Sequence, residues 1–306
     1  MRYLRSAAFL VLLLGAGLAA GCEPGSAASE ADPSAQQASE MHAGADSTQA
    51  RFEAVMAYAR ANDLHEQPIG AIMQTVGLRF MERPYLTGTL DEPPTEQLVI
   101  RFDGFDCVTY VETVLALARG IAVEDYRYAS FAERMREQRY RGGAMEGYCS
   151  RLHYFSEWVR DNDRRGIVRD VTAGLGGQVL GDTLRFMSTH RSAYPRFATN
   201  DSLLACIRDM EQTLRGEPIR YVPQDALRSV YDRLQAGDIL GLATDIDGLD
   251  IAHTGLVYAG ADGQIGLLHA STSGGVTVSP DLQAYVQNID HQVGILVARP
   301  ASPQLR

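Results

Sequence analysis

The spacing of apolar residues divides the chain into a helical part followed by a part with strand-like spacing. In seven segments the apolar side chains recur every three or four positions, as they do on the buried face of a helix. We expect helices near residues 51–59, 69–81, 107–118, 126–138, 154–163, 202–214 and 224–234.

Short apolar runs with turn-forming Gly and Asp between them dominate the C-terminal part, as in neighbouring β-strands. These runs cover residues 238–240, 251–258, 265–270, 276–279 and 293–298, and an isolated candidate strand covers 98–102. Helices first and adjacent strands afterwards predict an α+β domain with an antiparallel sheet rather than a parallel one.

The N-terminus has the pattern of an export signal. Arg2 and Arg5 precede an apolar run from Ala7 to Ala20, which predicts a signal peptide over residues 1–21. The sequence Ala-Ala-Gly-Cys ending at Cys22 resembles the lipobox, where bacteria cleave the signal and acylate the new terminal cysteine. We expect a lipid anchor at Cys22 and a periplasm-facing envelope location. Glu23 favours the outer membrane, by resemblance to known sorting patterns, and the alternative is an ordinary signal peptide cut nearby.

The segment from Glu23 to about Gln49 consists mainly of small and polar residues. Such a composition buries too little apolar surface to offset the entropy of ordering. We therefore predict a lipidated cysteine and disordered linker over 22–50, followed by one folded domain over 51–306.

Composition excludes several classes of function. The chain has 306 residues, 45% of them hydrophobic, which is enough for a substantial core. Its 28 basic and 38 acidic residues give a formal charge of −10 with no stripe of Arg, so nucleic acid is not an expected partner. The sequence contains no Lys, which excludes Schiff-base chemistry through a lysine amine.

The remaining cysteines have different predicted roles. Cys107 falls in the first turn of a predicted helix, where exposed amides and the helix dipole lower a thiol pKa and make a nucleophile. The alternative is that Cys107 is a small buried hydrophobic residue. Cys149 and Cys206 could form a disulfide in an oxidising compartment, a pairing that the sequence leaves open.

Two histidines lie on neighbouring predicted strands. Alternation places His253 on the same face as Gly255, which leaves room for a ligand, and His269 ends the next strand. In a Cys–His pair the imidazole accepts the thiol proton, and a third polar group orients the imidazole. We predict Cys107 as nucleophile, His253 as base and His269 as orienting residue.

Several motifs together resemble a known family, the N-acetylmuramoyl-L-alanine amidase-like family within the NlpC/p60 superfamily of papain-like cysteine peptidases. The resemblance covers roughly residues 52–300. The motifs are Phe-Asp-Cys-Val-Thr-Tyr-Val-Glu at 105–112, Ser-Arg-Leu-His-Tyr-Phe-Ser-Glu-Trp at 150–158, Gly-Asp-Ile at 237–239, Ile-Ala-His-Thr-Gly at 251–255 and Leu-His-Ala-Ser at 268–271.

The resemblance implies a papain-like, NlpC-type domain in which the helix carrying the cysteine packs on an antiparallel sheet, with additional N-terminal helices. It implies hydrolysis of the amide between the lactyl group of N-acetylmuramic acid and L-alanine in peptidoglycan. The family mechanism uses a thiolate and a histidine paired with a second polar residue, and needs no metal or other cofactor. We expect a monomer.

The motif at 150–158 is where the resemblance suggests substrate contacts. Arg151 could pair with a stem-peptide carboxylate, and aromatic residues could lie against a sugar or peptide. The alternative is that these aromatic residues belong to the core of an amphipathic helix. The predicted contact residues in this motif are Ser150, Arg151, His153, Tyr154 and Trp158.

Two residues beside Cys107 have predicted supporting roles. Asp106 could cap the helix or contact a peptide amine, and Tyr110, one turn after Cys107, could line the pocket. The backbone amide of Cys107 at the helix start is the natural oxyanion donor.

Three other functions remain open on the sequence alone. A zinc amidase could use His253, His269 and an acidic residue such as Asp250 as ligands, although no tight ligand motif supports it. A lipoprotein could bind muropeptides without cleaving them. Within the cysteine hydrolases, the bond cut could be L-Ala to D-Glu in the stem peptide.

Overall fold

The computed structural model describes residues 33–181 and 183–303. The predicted signal peptide over 1–21 and the lipidation site Cys22 lie outside the described residues. The chain divides into a short N-terminal unit, residues 1–43, and a large unit, residues 44–306. Helix α1, Pro33–Ala61, begins inside the segment predicted as a linker, so helical backbone extends further toward the N-terminus than the composition predicted.

The described helices agree with most of the predicted ones. The segment predicted as a helix over 224–234 is instead a 3-10 helix, Gln224–Arg233. No described helix is long and apolar enough to cross a membrane. After α1 the α-helices are α2 (Ile69–Leu78), α3 (Cys107–Ile121), α4 (Tyr128–Arg139), α5 (Phe155–Arg164), α6 (Phe186–Thr189), α7 (Asp201–Thr213) and α8 (Leu282–Gln287).

The strands form one antiparallel sheet of eight strands, so the predicted α+β class is confirmed. Its order is β2-β3-β8-β4-β5-β6-β7, with β1 beside the end of β8. The strands are β1 (Val168–Asp170), β2 (Gln178–Gly181), β3 (Ile219–Pro223), β4 (Ile239–Thr244), β5 (Ile251–Ala259), β6 (Ile265–Ser271), β7 (Gly275–Ser279) and β8 (Gln292–Pro300).

The predicted strand over 98–102 is absent. This segment is an extended loop whose last side chain, Phe102, is buried in an aromatic cluster with Phe80 and Phe131. The carbonyl of Val99 accepts a hydrogen bond from the buried guanidinium of Arg139 at 2.7 Å rather than from a neighbouring strand. The apolar run therefore marks burial, not strand pairing.

Helix α3 is the centre of the larger core, packed against α2, α4, β5 and β6. Its start is fixed by a capping box: the Asp106 carboxylate accepts the Thr109 backbone N–H at 2.7 Å, and the Thr109 hydroxyl accepts the Asp106 N–H at 3.0 Å. Such caps satisfy amides that have no partner within the helix. Two roles were predicted for Asp106, capping the helix and contacting a peptide amine, and the structure shows the capping role.

A disulfide joins Cys149 to Cys206, with the two Cα atoms 6.2 Å apart. It connects the 3-10 turn Tyr148–Ser150 to helix α7. The pairing that the sequence left open is therefore present, and it fastens the chain immediately before the residues that line the candidate site.

We predict that replacing both Cys149 and Cys206 with Ala lowers the free energy of unfolding by roughly 2–4 kcal/mol, because the unfolded chain is no longer cross-linked. Urea denaturation of the oxidised protein measures this change. Cys107→Ala, which removes a thiol that is in no disulfide, is the control and should keep the wild-type midpoint. Identical midpoints for the double variant and the wild type would contradict the prediction.

Candidate active site

A pocket of about 200 Å³ lies between the start of α3, the start of α5 and the start of β5. Both Cys107 and His253 line it, although they are far apart in the sequence. Most of its wall is apolar, and no Arg is among the lining residues. The lining residues are Cys107, Val108, Val111, Glu112, Leu152, His153, Tyr154, Phe155, Trp158 and residues 249–254.

Cys107 is the first residue of α3 and is a partly exposed free thiol. The Thr254 backbone N–H and the Tyr85 hydroxyl are the donor groups that act on its thiol. Burial, followed by the nearby Asp106 carboxylate, raises the pKa of Cys107 to about 11, which outweighs the lowering by these donors. The expected low thiol pKa at a helix start is therefore not found, and the thiol needs a base to become a nucleophile.

The two predicted histidines are in direct contact. Nε2 of His253 lies 2.7 Å from Nδ1 of His269. Burial lowers the pKa of His253 to about 4, and burial together with His253 lowers the pKa of His269 to about 3, so both imidazoles are neutral near pH 7. Because Nε2 of His253 is engaged, Nδ1 is the nitrogen left to accept a proton.

Three residues around this group were not found from the sequence. The Tyr85 hydroxyl contacts Cys107, Ser279 Oγ lies 3.2 Å from Nε2 of His269, and the Tyr285 ring centroid is 4.9 Å from that of His269. Tyr85 lies in a loop without periodicity, held beside Phe105 by an isolated bridge. Strand alternation could have indicated Ser279, but only once the register of β7 against β6 was known.

Three of the predicted substrate-contact residues line the pocket: His153, Tyr154 and Trp158. Nε2 of His153 donates to the Tyr148 carbonyl at 2.9 Å, and burial lowers its pKa to about 3, so Nδ1 is an unprotonated acceptor at neutral pH. The Tyr154 hydroxyl donates a hydrogen bond to Glu211 at 2.8 Å, so the part of Tyr154 that lines the pocket is its ring. The Trp158 ring stacks on Phe155 at 5.9 Å.

The prediction that Arg151 pairs with a substrate carboxylate is corrected by its contacts. Its guanidinium is paired with Asp91 at 2.5 Å, donates to the Leu90 carbonyl at 3.2 Å and lies over the Tyr148 ring. Its side chain is 7% exposed. Arg151 therefore holds the loop around Asp91 in place and has no free face for a ligand.

Ser150 and Tyr110 are also outside the pocket lining. Ser150 Oγ donates to the Gly147 carbonyl at 2.7 Å and accepts the Glu146 N–H at 2.8 Å, so it stabilises a turn. Tyr110 is fully buried and points toward α2, where a Cβ on Gly77 would lie 2.5 Å from its hydroxyl. Both predicted contacts are corrected, because these side chains are used inside the fold.

The acidic residues of the pocket are engaged with protein groups. Glu112 is paired with buried Arg139 at 2.7 Å, and Asp250 accepts the backbone N–H groups of Ser156 at 2.7 Å and Ile251 at 2.9 Å. Asp250, the acidic ligand in the zinc alternative, is thus held by backbone amides. No group of three or more His, Cys, Asp or Glu within residues 33–181 and 183–303 is arranged to hold a metal ion.

Comparison with known proteins identifies the family. The model of the AmiA-like family, described as N-acetylmuramoyl-L-alanine amidase-like, matches residues 75–295. The chain belongs to this family. The family that the sequence motifs resembled is therefore confirmed. No match was found among curated proteins.

Solved structures agree with this membership in the AmiA-like family. An N-acetylmuramoyl-L-alanine amidase from Bacteroides uniformis is 33% identical with a TM-score of 0.71, covering 76% of this chain and 98% of that one. A putative xylanase from Bacteroides fragilis is 35% identical with a TM-score of 0.64, covering 73% and 98%. A DUF1460 protein from Legionella pneumophila, 20% identical with a TM-score of 0.64 over 85% and 98%, shares the fold.

We predict that alkylation of Cys107 by iodoacetamide accelerates as the pH rises toward about 11, because only the thiolate reacts and its pKa is raised. Mass spectrometry of the peptide carrying Cys107 measures the rate at each pH. An unstructured cysteine-containing peptide, whose thiol pKa is about 8.5, is the reference. A rate that is constant from pH 5 to 8 would instead mean that a thiolate–imidazolium pair is already formed.

Proposed function

We propose that this protein is a cysteine hydrolase of the papain-like, NlpC type that cleaves the amide between N-acetylmuramic acid and L-alanine in peptidoglycan. The observation that carries this proposal is that Cys107, at a capped helix start, lines one pocket with His253, whose imidazole is hydrogen-bonded to His269. Membership in an amidase-like family supports the same reaction class.

Acylation follows from these positions. Nδ1 of His253 accepts the thiol proton as Sγ of Cys107 attacks the lactyl carbonyl carbon, whose oxygen becomes an oxyanion. The donors that act on Sγ, the Thr254 backbone N–H and the Tyr85 hydroxyl, can stabilise that oxygen together with the Cys107 N–H. His253 then gives its proton to the L-alanine nitrogen, the C–N bond breaks, and a thioester remains. Water, deprotonated by His253, hydrolyses the thioester and restores the thiol.

His269 and Ser279 orient the imidazole of His253, the proposed base. Protonated His253 donates its Nε2–H to Nδ1 of His269, which requires His269 to carry its own proton on Nε2. That proton has an acceptor in Ser279 Oγ at 3.2 Å. The chain from His253 to Ser279 thus favours the tautomer that stabilises the imidazolium formed during the reaction.

The character of the pocket supports a neutral group beside Cys107. Its lining is mostly apolar, contains no Arg, and its two carboxylates are occupied by protein donors. A stem-peptide carboxylate bound in this pocket would have no arginine to pair with and would be costly to desolvate. The lactyl methyl and a sugar ring carry no charge, so they can pack against Val108, Val111 and Trp158 without this cost.

We further propose that the protein is a lipoprotein of the cell envelope, anchored through Cys22 and facing the periplasm. The lipobox-like sequence before Cys22 supports the anchor. The Cys149–Cys206 disulfide supports an oxidising compartment, since disulfides persist there and are rare in the cytosol. Peptidoglycan is the partner that this location supplies.

Cleavage of purified muropeptides tests the proposed reaction. We expect the wild type to release free stem peptide beginning with L-alanine, detected by mass spectrometry, and Cys107→Ala to release none while keeping its fold. Cleavage within the peptide would assign the endopeptidase activity instead. Binding without cleavage by wild type and variant alike would favour a non-catalytic muropeptide-binding protein. Activity lost with a chelator but resistant to a thiol alkylator would favour the zinc mechanism.

The histidine chain predicts a graded loss of kcat. His253→Ala should lower kcat by about 10²–10⁴-fold because the base is removed. His269→Ala should cost less, because an orienting group is easier to replace than a base, and Ser279→Ala less again. Ser279→Thr keeps a hydroxyl and should restore wild-type kcat. Steady-state kinetics measure the series, and a Ser279→Ala variant as slow as His253→Ala would refute this order.

A further inference from the structure

A second polar site lies far along α3 from the nucleophile. Four arginines line a groove of about 690 Å³ formed with Gly166, Val171 and residues 300–303: Arg119, Arg165, Arg169 and Arg299. Because an α-helix rises about 1.5 Å per residue, Arg119 is about 18 Å along α3 from Cys107. The groove is therefore separate from the catalytic pocket, and its basic lining contrasts with a chain of formal charge −10.

Two of these arginines oppose each other directly in the sheet. Arg169 of β1 is the cross-strand partner of Arg299 of β8, so both side chains project from the same face. Like charges placed directly opposite destabilise a strand pair. Arg299 is neutralised by a bidentate contact with Asp238 at 2.8 Å, whereas the side chain of Arg169 is exposed and makes no ion pair or hydrogen bond with the described residues.

Arg119 lines the groove with a largely buried guanidinium. Its side chain is 12% exposed, and Nη1 donates to Glu137 at 3.0 Å. Its Nε–H is buried without an acceptor in the described part of the chain. Burial lowers the pKa of Arg119, and Arg134 and Arg165 lower it further, while Glu137 opposes these effects. The buried Nε atom is closed to a ligand in the groove, so Arg119 contributes its positive charge to the site rather than this donor.

The charges of the groove do not balance. Glu137, Asp161 and Asp238 pair with Arg119, Arg165 and Arg299, which leaves the charge of Arg169 without a counterion within residues 33–181 and 183–303. A guanidinium binds oxyanions well because its planar donors match carboxylate and phosphate oxygens. A single oxyanion bound beside Arg169 would supply the missing charge.

We propose that this groove is an anion-binding site that takes a phosphate or carboxylate group, distinct from the catalytic pocket. The site is independent of the proposed amidase activity.

Thermal unfolding of the full-length protein in sodium phosphate and in sodium chloride at equal ionic strength tests the site. Ligand binding to the native state raises the unfolding midpoint. We expect phosphate to raise the midpoint of the wild type above its value in chloride, and Arg169→Ala to show a smaller difference, because the general stabilising effect of phosphate is common to both proteins. Arg208→Ala, which removes an exposed arginine on α7 outside the groove, is the matched control and should keep the wild-type difference.

Equal midpoints in the two salts for the wild type, or an undiminished phosphate effect in Arg169→Ala, would overturn the proposal. Sodium acetate as a third salt distinguishes the carboxylate from the phosphate, and the larger groove-dependent shift identifies the preferred group. Muropeptide cleavage by Arg169→Ala should equal that of the wild type. The outcome of the unfolding experiment therefore does not depend on whether the proposed activity is correct.

Discussion

The capping box at the start of α3 is the interaction on which the site depends. Asp106 and Thr109 satisfy each other's backbone amides and so fix the first residue of the helix, Cys107, at one position. The rest of α3 is buried against β5 and β6, the strands that carry His253 and His269. Cys107 and His253 therefore line one pocket because a buried helix and an antiparallel sheet share one interface.

The electrostatics of the pocket follow from burial. A thiol and two imidazoles with little access to water favour their neutral forms, which is the direction of all three pKa shifts. A neutral resting state avoids separated charges in an apolar pocket. It also makes the donors around Sγ important, because charge appears only when a substrate is attacked.

The helical periodicity of α2, α4, α5 and α7 could be recognised in the sequence because each helix buries one face. Strands β5 and β6 are buried on both faces along most of their length, so they could be recognised as short apolar runs between turns. The same patterns placed Cys107 and both histidines. Roles that depend on contacts with residues distant in sequence could not be predicted from these patterns. The Arg151 guanidinium was predicted to be available to a substrate because its partner, Asp91, is 60 residues away in sequence. Tyr85 and Ser279 acquire their contacts only from a loop path and a strand register.

Intact-protein mass spectrometry of the wild type, acid-quenched during turnover of a muropeptide, tests the central claim most directly. The account predicts a thioester adduct on Cys107 whose mass equals the N-acetylmuramoyl group without alanine, since the lactyl carbonyl is the acyl carbon transferred. An adduct that contains L-alanine, an adduct on another residue, or undiminished turnover by Cys107→Ala would contradict it.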